Sequence, residues 1–228
     1  MNWQLYTKIL HDFETDYHPK EIIVGLNYGG ESLLHPEFSK YLRALDIVAP
    51  KKIQLATNGT LLTKEVMQSL LDANVEVAIS LHKSRWLNQV VRKTKQLYQM
   101  KTHLNLPMTV RANIVAEEFS QKEIDSLTAS LHHSVDQIRI VTYITEDLKT
   151  ASEPTQWYPL CPSMFMYLAI LWNGDTIPCC HLLSYDNNFT LGNIHDKSIK
   201  QVFHGKAYQA LRVGETEKTP CQNCEVRR

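Results

Sequence analysis

Cysteine is absent from the first 160 of the 228 residues, and all five cysteines lie in the last third of the chain. In the reducing surroundings that we expect for this protein, such clustered thiols are typical of ligands and not of a disulfide framework. The distribution therefore predicts a metal or iron–sulfur site built from one C-terminal region.

The chain also lacks an excess of charge and a long apolar run. Lysine and arginine number 24, as do aspartate and glutamate, so no electrostatic footprint for nucleic acid or an anionic membrane surface is visible. The longest apolar run, residues 164–172, has about half the length that a bilayer span requires. Residues 1–8 contain no charged region leading into an apolar core, so we expect no secretory signal. These absences predict a cytoplasmic protein with neither a nucleic-acid partner nor a membrane partner.

Apolar, β-branched runs alternate with amphipathic stretches in the first two thirds of the sequence. The predicted strands are 22–27, 52–57, 75–80, 108–114 and 137–142, and the predicted helices are about 36–48, 63–73, 85–103 and 121–132. This alternation indicates parallel strands covered by helices, an α/β fold. Right-handed crossovers place the carboxyl ends of the strands on one side, where such folds bind their ligands.

A change of composition near residues 145–160 predicts a linker at 146–160, between residues 1–145 and a C-terminal region at 161–228. Residues 165–178 predict a hairpin, because the Asn173-Gly174 turn suits positive φ. Residues 196–204 predict a short helix.

Four of the cysteines have the spacing of ligands to one centre. Cys161 precedes the predicted hairpin, Cys179 follows it, and Cys221 and Cys224 form a C-x-x-C pair. Four thiolates suit a zinc ion or an iron–sulfur cluster, and spacing alone leaves both open. Cys180 is interpreted as a small buried thiol outside the site, since free cysteine is among the most buried residue types.

Three of the predicted strands end in short polar sequences. Gly29-Gly30-Glu31 follows the first strand, where glycines let a ligand approach the backbone and a carboxylate can accept from an ammonium group. A tight turn with an exposed glutamate explains the same residues. Asn58-Gly59 follows the second strand and favours positive φ. Ser80 ends the third strand, and a lone serine there is typical of a helix cap.

Taken in order, these motifs resemble the radical S-adenosylmethionine (SAM) superfamily, in the branch with C-terminal SPASM or twitch domains. The motifs are Gly29-Gly30-Glu31-Ser32-Leu33-Leu34-His35-Pro36, Thr57-Asn58-Gly59, Ile79-Ser80-Leu81, Cys161, Gly174-x4-Cys179, Leu191-Gly192-Asn193-Ile194 and Cys221-x2-Cys224. The resemblance covers nearly the whole chain. The cysteine pattern is closer to the twitch form, which holds one auxiliary cluster, and Ser32 replaces the proline usual after Gly-Gly-Glu.

The resemblance implies a partial (β/α)6 barrel in residues 1–145 and a twitch/SPASM-like domain in residues 161–228. In that family the segment matching Gly29, Gly30 and Glu31 contacts the methionyl amino group of SAM. The position of Ser80 is often near the ribose, and Asn113 is expected to face the same cavity.

The resemblance also favours an auxiliary [4Fe–4S] cluster over zinc, with Cys161, Cys179, Cys221 and Cys224 as its ligands. Members of that family typically modify peptides or small molecules. The resemblance therefore implies a peptide or a small molecule as the substrate of this protein.

The defining C-x3-C-x2-C loop of the family does not occur in the sequence. In the family its three thiolates hold the cluster that supplies the electron for SAM cleavage to a 5′-deoxyadenosyl radical. Residues 3–16 resemble the helix after that loop, so the family's first strand is expected to be missing too. We therefore expect part of a radical SAM enzyme that does not cleave SAM alone, with a partner chain as one source of the missing strand and loop. The alternative is a non-catalytic iron–sulfur or zinc module derived from the family.

Overall fold

The computed structural model describes residues 1–142, 161–179 and 189–214. Contacts divide the chain into two compact units, one of Pro19–Tyr143 and one that combines Met1–His18 with Ile144–Arg228. The predicted linker at 146–160 lies outside the described residues. Across the described ranges, no helix is both long and apolar enough to cross a membrane.

The secondary structure follows the predicted alternation. The helices are α1 (Trp3–Asp16), α2 (Phe38–Val48), α3 (Lys64–Asp72), α4 (Leu87–His103), α5 (Gln121–Leu131), α6 (Ser163–Met166), α7 (Ile199–Phe203) and α8 (Lys206–Arg212). The strands are β1 (Ile23–Gly25), β2 (Lys52–Thr57), β3 (Glu76–Leu81), β4 (Val110–Val115), β5 (Gln137–Val141), β6 (Ala169–Ile170), β7 (Asp175–Ile177) and β8 (Gly192–Asn193).

The unit of residues 19–143 is built on a parallel sheet. Its order is β1-β2-β3-β4-β5, and every neighbouring pair is parallel. Helices connect successive strands, and α4 packs on β3 and β4. The α/β fold predicted from the sequence is therefore confirmed.

The two faces of this sheet differ in character because side chains alternate along each strand. One face is buried and apolar, and includes Ile53, Leu55, Val77, Ile79, Val110 and Ala112. The other face is more exposed and mostly polar or small, with Gln54, Ala56, Glu76, Ala78, Ser80, Arg111 and Asn113. The second face is therefore the one open to a ligand.

Strand β1 is shorter than predicted, and Asn27 is the reason. The backbone N–H of Leu26 still donates to the Gln54 carbonyl at 2.8 Å. At the next residue along the chain, the side-chain oxygen of Asn27 accepts from the backbone N–H of Ala56 at 3.0 Å. A side chain thus replaces the backbone ladder at the end of the strand.

The C-terminal unit contains the predicted hairpin. Strands β6 and β7 are antiparallel, β8 pairs with β7 on its other side, and Gly174 makes the turn at a φ of 86°. Residues 163–166, however, form helix α6, so the prediction of a strand beginning at residue 165 is wrong. No β-branched residue occurs in Ser163–Met166, and Pro162 suits the start of a helix.

Helix α1 belongs to the same unit as the C-terminal residues, whereas the sequence-based boundary grouped it with residues up to 145. The buried Asp12 carboxylate accepts from the backbone N–H of Ile199 at 2.9 Å. The Lys8 ammonium donates to the Lys197 carbonyl at 2.9 Å. These hydrogen bonds tie α1 to the start of α7. The domain boundaries predicted from the sequence stay predictions.

Candidate functional site

The Glu31 carboxylate joins the loops that follow β1 and β2. Its Oε1 accepts from the Thr57 hydroxyl at 2.9 Å, and its Oε2 accepts from the backbone N–H of Asn58 at 2.9 Å. The backbone N–H of Leu33 also donates to Oε1, at 3.3 Å. Glu31 is partly buried, so the interpretation as a tight turn with an exposed glutamate is wrong.

The glycines before Glu31 leave the backbone accessible. Gly29 and Gly30 are exposed, and a Cβ added at Gly30 would meet nothing within 4 Å. Beyond them, the Ser32 hydroxyl donates to the Leu26 carbonyl and closes the loop. The segment therefore presents backbone groups at the carboxyl edge of the sheet, where the sequence predicted a ligand.

Ser80 and Asn113 are direct neighbours in the sheet. They are paired in the register of β3 and β4, on the polar face. Ser80 lies within β3, so the helix-cap interpretation is wrong. The Oδ1 atom of Asn113 is buried and accepts no hydrogen bond. Buried polar atoms are nearly always paired, so this acceptor fits the site of an absent ligand.

Small residues leave space on the polar face. Gly25 pairs in register with Gln54, and Ala56 pairs with Ala78. A Cβ at Gly25 would meet nothing within 4 Å. The backbone of the sheet at Gly25 is thus not covered by a neighbouring side chain.

The sequence-based reasoning missed a charged group on this face. Glu76 accepts from the Lys52 ammonium at 2.6 Å and from the Gln54 amide at 3.0 Å. The hydrogen bond from Lys52, followed by that from Gln54, lowers the pKa of Glu76. The alternation of polar residues along β3 could have revealed it.

A second missed group lies just beyond the ends of β3 and β4. The Nδ1 atom of His82 lies 2.7 Å from a carboxylate oxygen of Glu118, whose other oxygen accepts from the backbone N–H of Lys83. A carboxylate in this position fixes the orientation of the imidazole ring. His82 follows the motif Ile79-Ser80-Leu81 directly, and that adjacency was the available signal.

Two of the predicted cluster ligands lie within the described residues. Cys161 precedes α6, and its carbonyl accepts from the backbone N–H of Met164 at 3.2 Å. Cys179 follows β7 after one proline. Both side chains are of intermediate burial, which suits thiolate ligands. Cys221, Cys224 and Cys180 lie outside the described residues, and among the described ones no group of three or more His, Cys, Asp or Glu side chains could hold a metal ion.

Tyr208 links this region to α8. Its side chain is fully buried, and its hydroxyl donates to the Tyr167 carbonyl at 2.7 Å. Burial raises the pKa of Tyr208, and the charge of Cys179 raises it further while that of Arg212 lowers it. The guanidinium carbon of Arg212 lies 4.9 Å from the ring centroid of Tyr208. Thiolates such as those of Cys161 and Cys179 are the ligands of iron–sulfur clusters.

Comparison with known proteins identifies the C-terminal region. Residues 161–225 match the SPASM family, an iron–sulfur cluster-binding domain. This range contains all four predicted ligand cysteines. A search of curated proteins found no match.

Solved structures share the fold of the whole chain. SuiB of Streptococcus suis bound to the precursor peptide SuiA has a TM-score of 0.71 and 16% identity, covering 98% of this chain and 63% of SuiB. The enzyme anSMEcpe with bound AdoMet and a peptide has a TM-score of 0.66 and 12% identity, covering 99% of this chain and 80% of that one. BtrN in an open conformation has a TM-score of 0.58 and 15% identity, covering 99% and 78%.

The chain has the radical SAM fold with a C-terminal SPASM domain. The fold and the C-terminal SPASM domain that the sequence motifs implied are thereby confirmed. The chain spans less than two thirds of the length of SuiB. The activities of these proteins enter below only as support for a proposal.

Proposed function

We propose that this protein is part of a radical SAM enzyme that modifies a peptide or a small molecule in the cytoplasm. In this proposal, Cys161, Cys179, Cys221 and Cys224 hold an auxiliary [4Fe–4S] cluster. The observation that carries it is the SPASM match over residues 161–225, which contains these four cysteines on a chain with the radical SAM fold.

The C-terminal residues hold the cluster in this account, and the cluster supplies one-electron chemistry when bound. The chain delivers Cys161 and Cys179 from the two sides of the β6–β7 hairpin. Hydrogen bonds of the turn at Cys161 and the buried Tyr208 fix the residues around these thiols.

The carboxyl edge of the parallel sheet binds SAM in this proposal. The exposed backbone at Gly29 and Gly30 and the charge of Glu31 meet its ammonium group, and the Asn113 Oδ1 acceptor and the Ser80 hydroxyl meet its nucleoside. The free space beside Gly25 and Gly30 and the unpaired Asn113 oxygen support this assignment.

The substrate class rests on the relatives. SuiB and anSMEcpe were both solved with a peptide bound, which supports a peptide for this protein. A C-x3-C-x2-C segment on a partner chain would supply the electron donor that the present sequence does not contain.

The test is SAM binding by equilibrium dialysis, followed by a search for 5′-deoxyadenosine after reduction with dithionite. We expect the reconstituted chain to bind SAM without cleaving it, and Asn113→Ala to weaken binding more than Asn74→Ala, an exposed asparagine after α3. Absence of SAM binding would contradict the proposal. Formation of 5′-deoxyadenosine by the chain alone would contradict the role of a partner segment.

A second candidate is a non-catalytic iron–sulfur or zinc module. The hydrogen bonds of Glu31 to Thr57 and Asn58 favour it, because they give this carboxylate a structural role that needs no SAM. A chain that holds its cluster or zinc ion but shows no affinity for SAM would support this candidate.

A further inference from the structure

Arg212 is held in one position by contacts on three sides. Its Nε donates to the Met164 carbonyl at 2.8 Å. Its guanidinium carbon lies 4.3 Å from the ring centroid of Phe203 and 4.9 Å from that of Tyr208. Such contacts restrict the orientation of the guanidinium plane.

One end of this guanidinium has no partner. The Nη2 atom is buried and makes no hydrogen bond. Leaving a buried charged donor unsatisfied costs more free energy than leaving a neutral donor unsatisfied. A buried donor in a native protein is expected to have a hydrogen-bond partner. A bound cofactor can provide that partner.

Arg212 contacts the turn that contains one cluster ligand. Met164, whose carbonyl accepts from Arg212, donates its own backbone N–H to the Cys161 carbonyl at 3.2 Å. The cation is therefore fixed beside the turn that delivers Cys161.

We propose that the Nη2 group of Arg212 donates a hydrogen bond to a sulfur of the C-terminal cluster and raises its reduction potential. This inference rests on the proposed cluster. When the oxidised cluster accepts one electron, its negative charge grows by one unit, and no proton or bond is exchanged. A nearby fixed cation and a hydrogen bond to sulfur both stabilise the more negative state.

A neighbouring carboxylate offers the rival explanation. The Oδ2 atom of Asp16 and the hydroxyl of Tyr17 are also buried without a partner. Burial raises the pKa of Tyr17, the charge of Asp16 raises it further, and the charge of Arg212 lowers it. The described residues contain no ion pair between Asp16 and Arg212. If the two did pair in solution, Arg212 would stabilise the fold without affecting the cluster.

The experiment is a dithionite titration of the reconstituted full chain, followed by the electron paramagnetic resonance signal of the reduced cluster. Arg212→Gln is expected to reduce the equilibrium constant for reduction about tenfold, which is about 59 mV for one electron. Arg212→Lys, which keeps the charge but loses the planar fork, is expected to shift the potential less in the same direction. Asp16→Asn is expected to leave the potential unchanged.

The outcomes separate this inference from the proposed function. A parent protein that binds no cluster contradicts the proposed function. A parent that binds the cluster, with unchanged potentials in both Arg212 variants, contradicts only the role of Arg212. If Arg212→Gln does not retain its cluster, the potential of Arg212→Lys decides, and a potential equal to that of the parent overturns the inference. A shift in Asp16→Asn as large as that in Arg212→Gln would favour the ion pair.

Discussion

Glu31 and Asn58 lie at the ends of neighbouring strands, and the Glu31 carboxylate accepts the backbone N–H of Asn58 at 2.9 Å. Removing the carboxylate leaves this N–H and the proton of the Thr57 hydroxyl without an acceptor. We expect Glu31→Ala to lower the free energy of unfolding by about 1–3 kcal/mol, and Glu31→Gln to lower it less because an amide oxygen still accepts. Urea denaturation measures both.

Glu21→Ala is the matched control for this prediction, since Glu21 is exposed. It should change stability by no more than about 0.5 kcal/mol. Equal stability of Glu31→Ala and Glu21→Ala would show that the Glu31 hydrogen bonds do not hold the strand ends together.

The contact between Asp12 and Ile199 predicts a local effect in the C-terminal unit. Asp12 is 5% exposed, and its carboxylate accepts the N–H of the first residue of α7. We expect Asp12→Ala to cost about 1.5–3 kcal/mol, the range of a hydrogen bond to a charged group. Hydrogen exchange measures this loss, and we expect the Ile199 amide to exchange faster in Asp12→Ala. Glu14→Ala, at an exposed position of the same helix, should leave the exchange rate of the Ile199 amide unchanged. A comparable increase of that rate in Glu14→Ala would show that the effect is not specific to the hydrogen bond between Asp12 and Ile199.

Two glycines of the sheet unit predict opposite outcomes for the same substitution. Gly59 has a φ of 73°, and an added Cβ would lie 2.8 Å from a Val90 methyl carbon and 3.0 Å from an Ile79 methyl carbon. Strain and crowding together should make Gly59→Ala about 2–4 kcal/mol less stable. Gly25→Ala meets nothing within 4 Å and should be nearly neutral. Thermal denaturation compares them, and equal melting temperatures would contradict the geometry at Gly59.

The pKa of Glu123 predicts a pH dependence. The hydrogen bond from Lys83, then those from the backbone and hydroxyl of Ser120, lower it from its ordinary 4.5 to about 2. Because the folded-state pKa is depressed, the contribution to stability is complete above about pH 4.5 and is lost as the pH falls toward about 2.

Nuclear magnetic resonance titration of the Glu123 side-chain carboxyl carbon measures this pKa. Lys83→Met should move the pKa upward, toward the ordinary value, because it removes the largest cause. Lys122→Met, one residue from Glu123 and outside these hydrogen bonds, serves as the control. An unchanged Glu123 pKa in Lys83→Met would contradict the assigned cause.

The sequence predicts the parallel sheet because its strands are short apolar runs separated by helical periodicity. Strand β2 begins and ends at the predicted residues 52 and 57, where apolar alternation is strong. The limits of α6 were not predicted, because residues 164–172 form one apolar run and periodicity does not separate a short helix from a strand. Helix α8 was not predicted either.

The candidate site could be predicted from the sequence only in part, because motifs show residue types and not the contacts between them. Motifs predict Glu31, Ser80 and Asn113 as site residues, and the structure places them at strand ends or on the polar face. Their part in binding stays a prediction. Motifs do not reveal hydrogen bonds between distant residues, such as Lys52 with Glu76 or Asp12 with Ile199. Those contacts depend on the register of strands and on helix packing, which one sequence does not specify.

The central claim is that four C-terminal cysteines bind one [4Fe–4S] cluster, and metal and sulfide analysis of anaerobically purified protein tests it most directly. We expect about four iron and four acid-labile sulfide per chain, as the cluster formula requires. Both should fall sharply in each alanine variant of Cys161, Cys179, Cys221 and Cys224, and should persist in Cys180→Ala. One equivalent of zinc without sulfide, or full iron and sulfide in any of the four variants, would contradict the account.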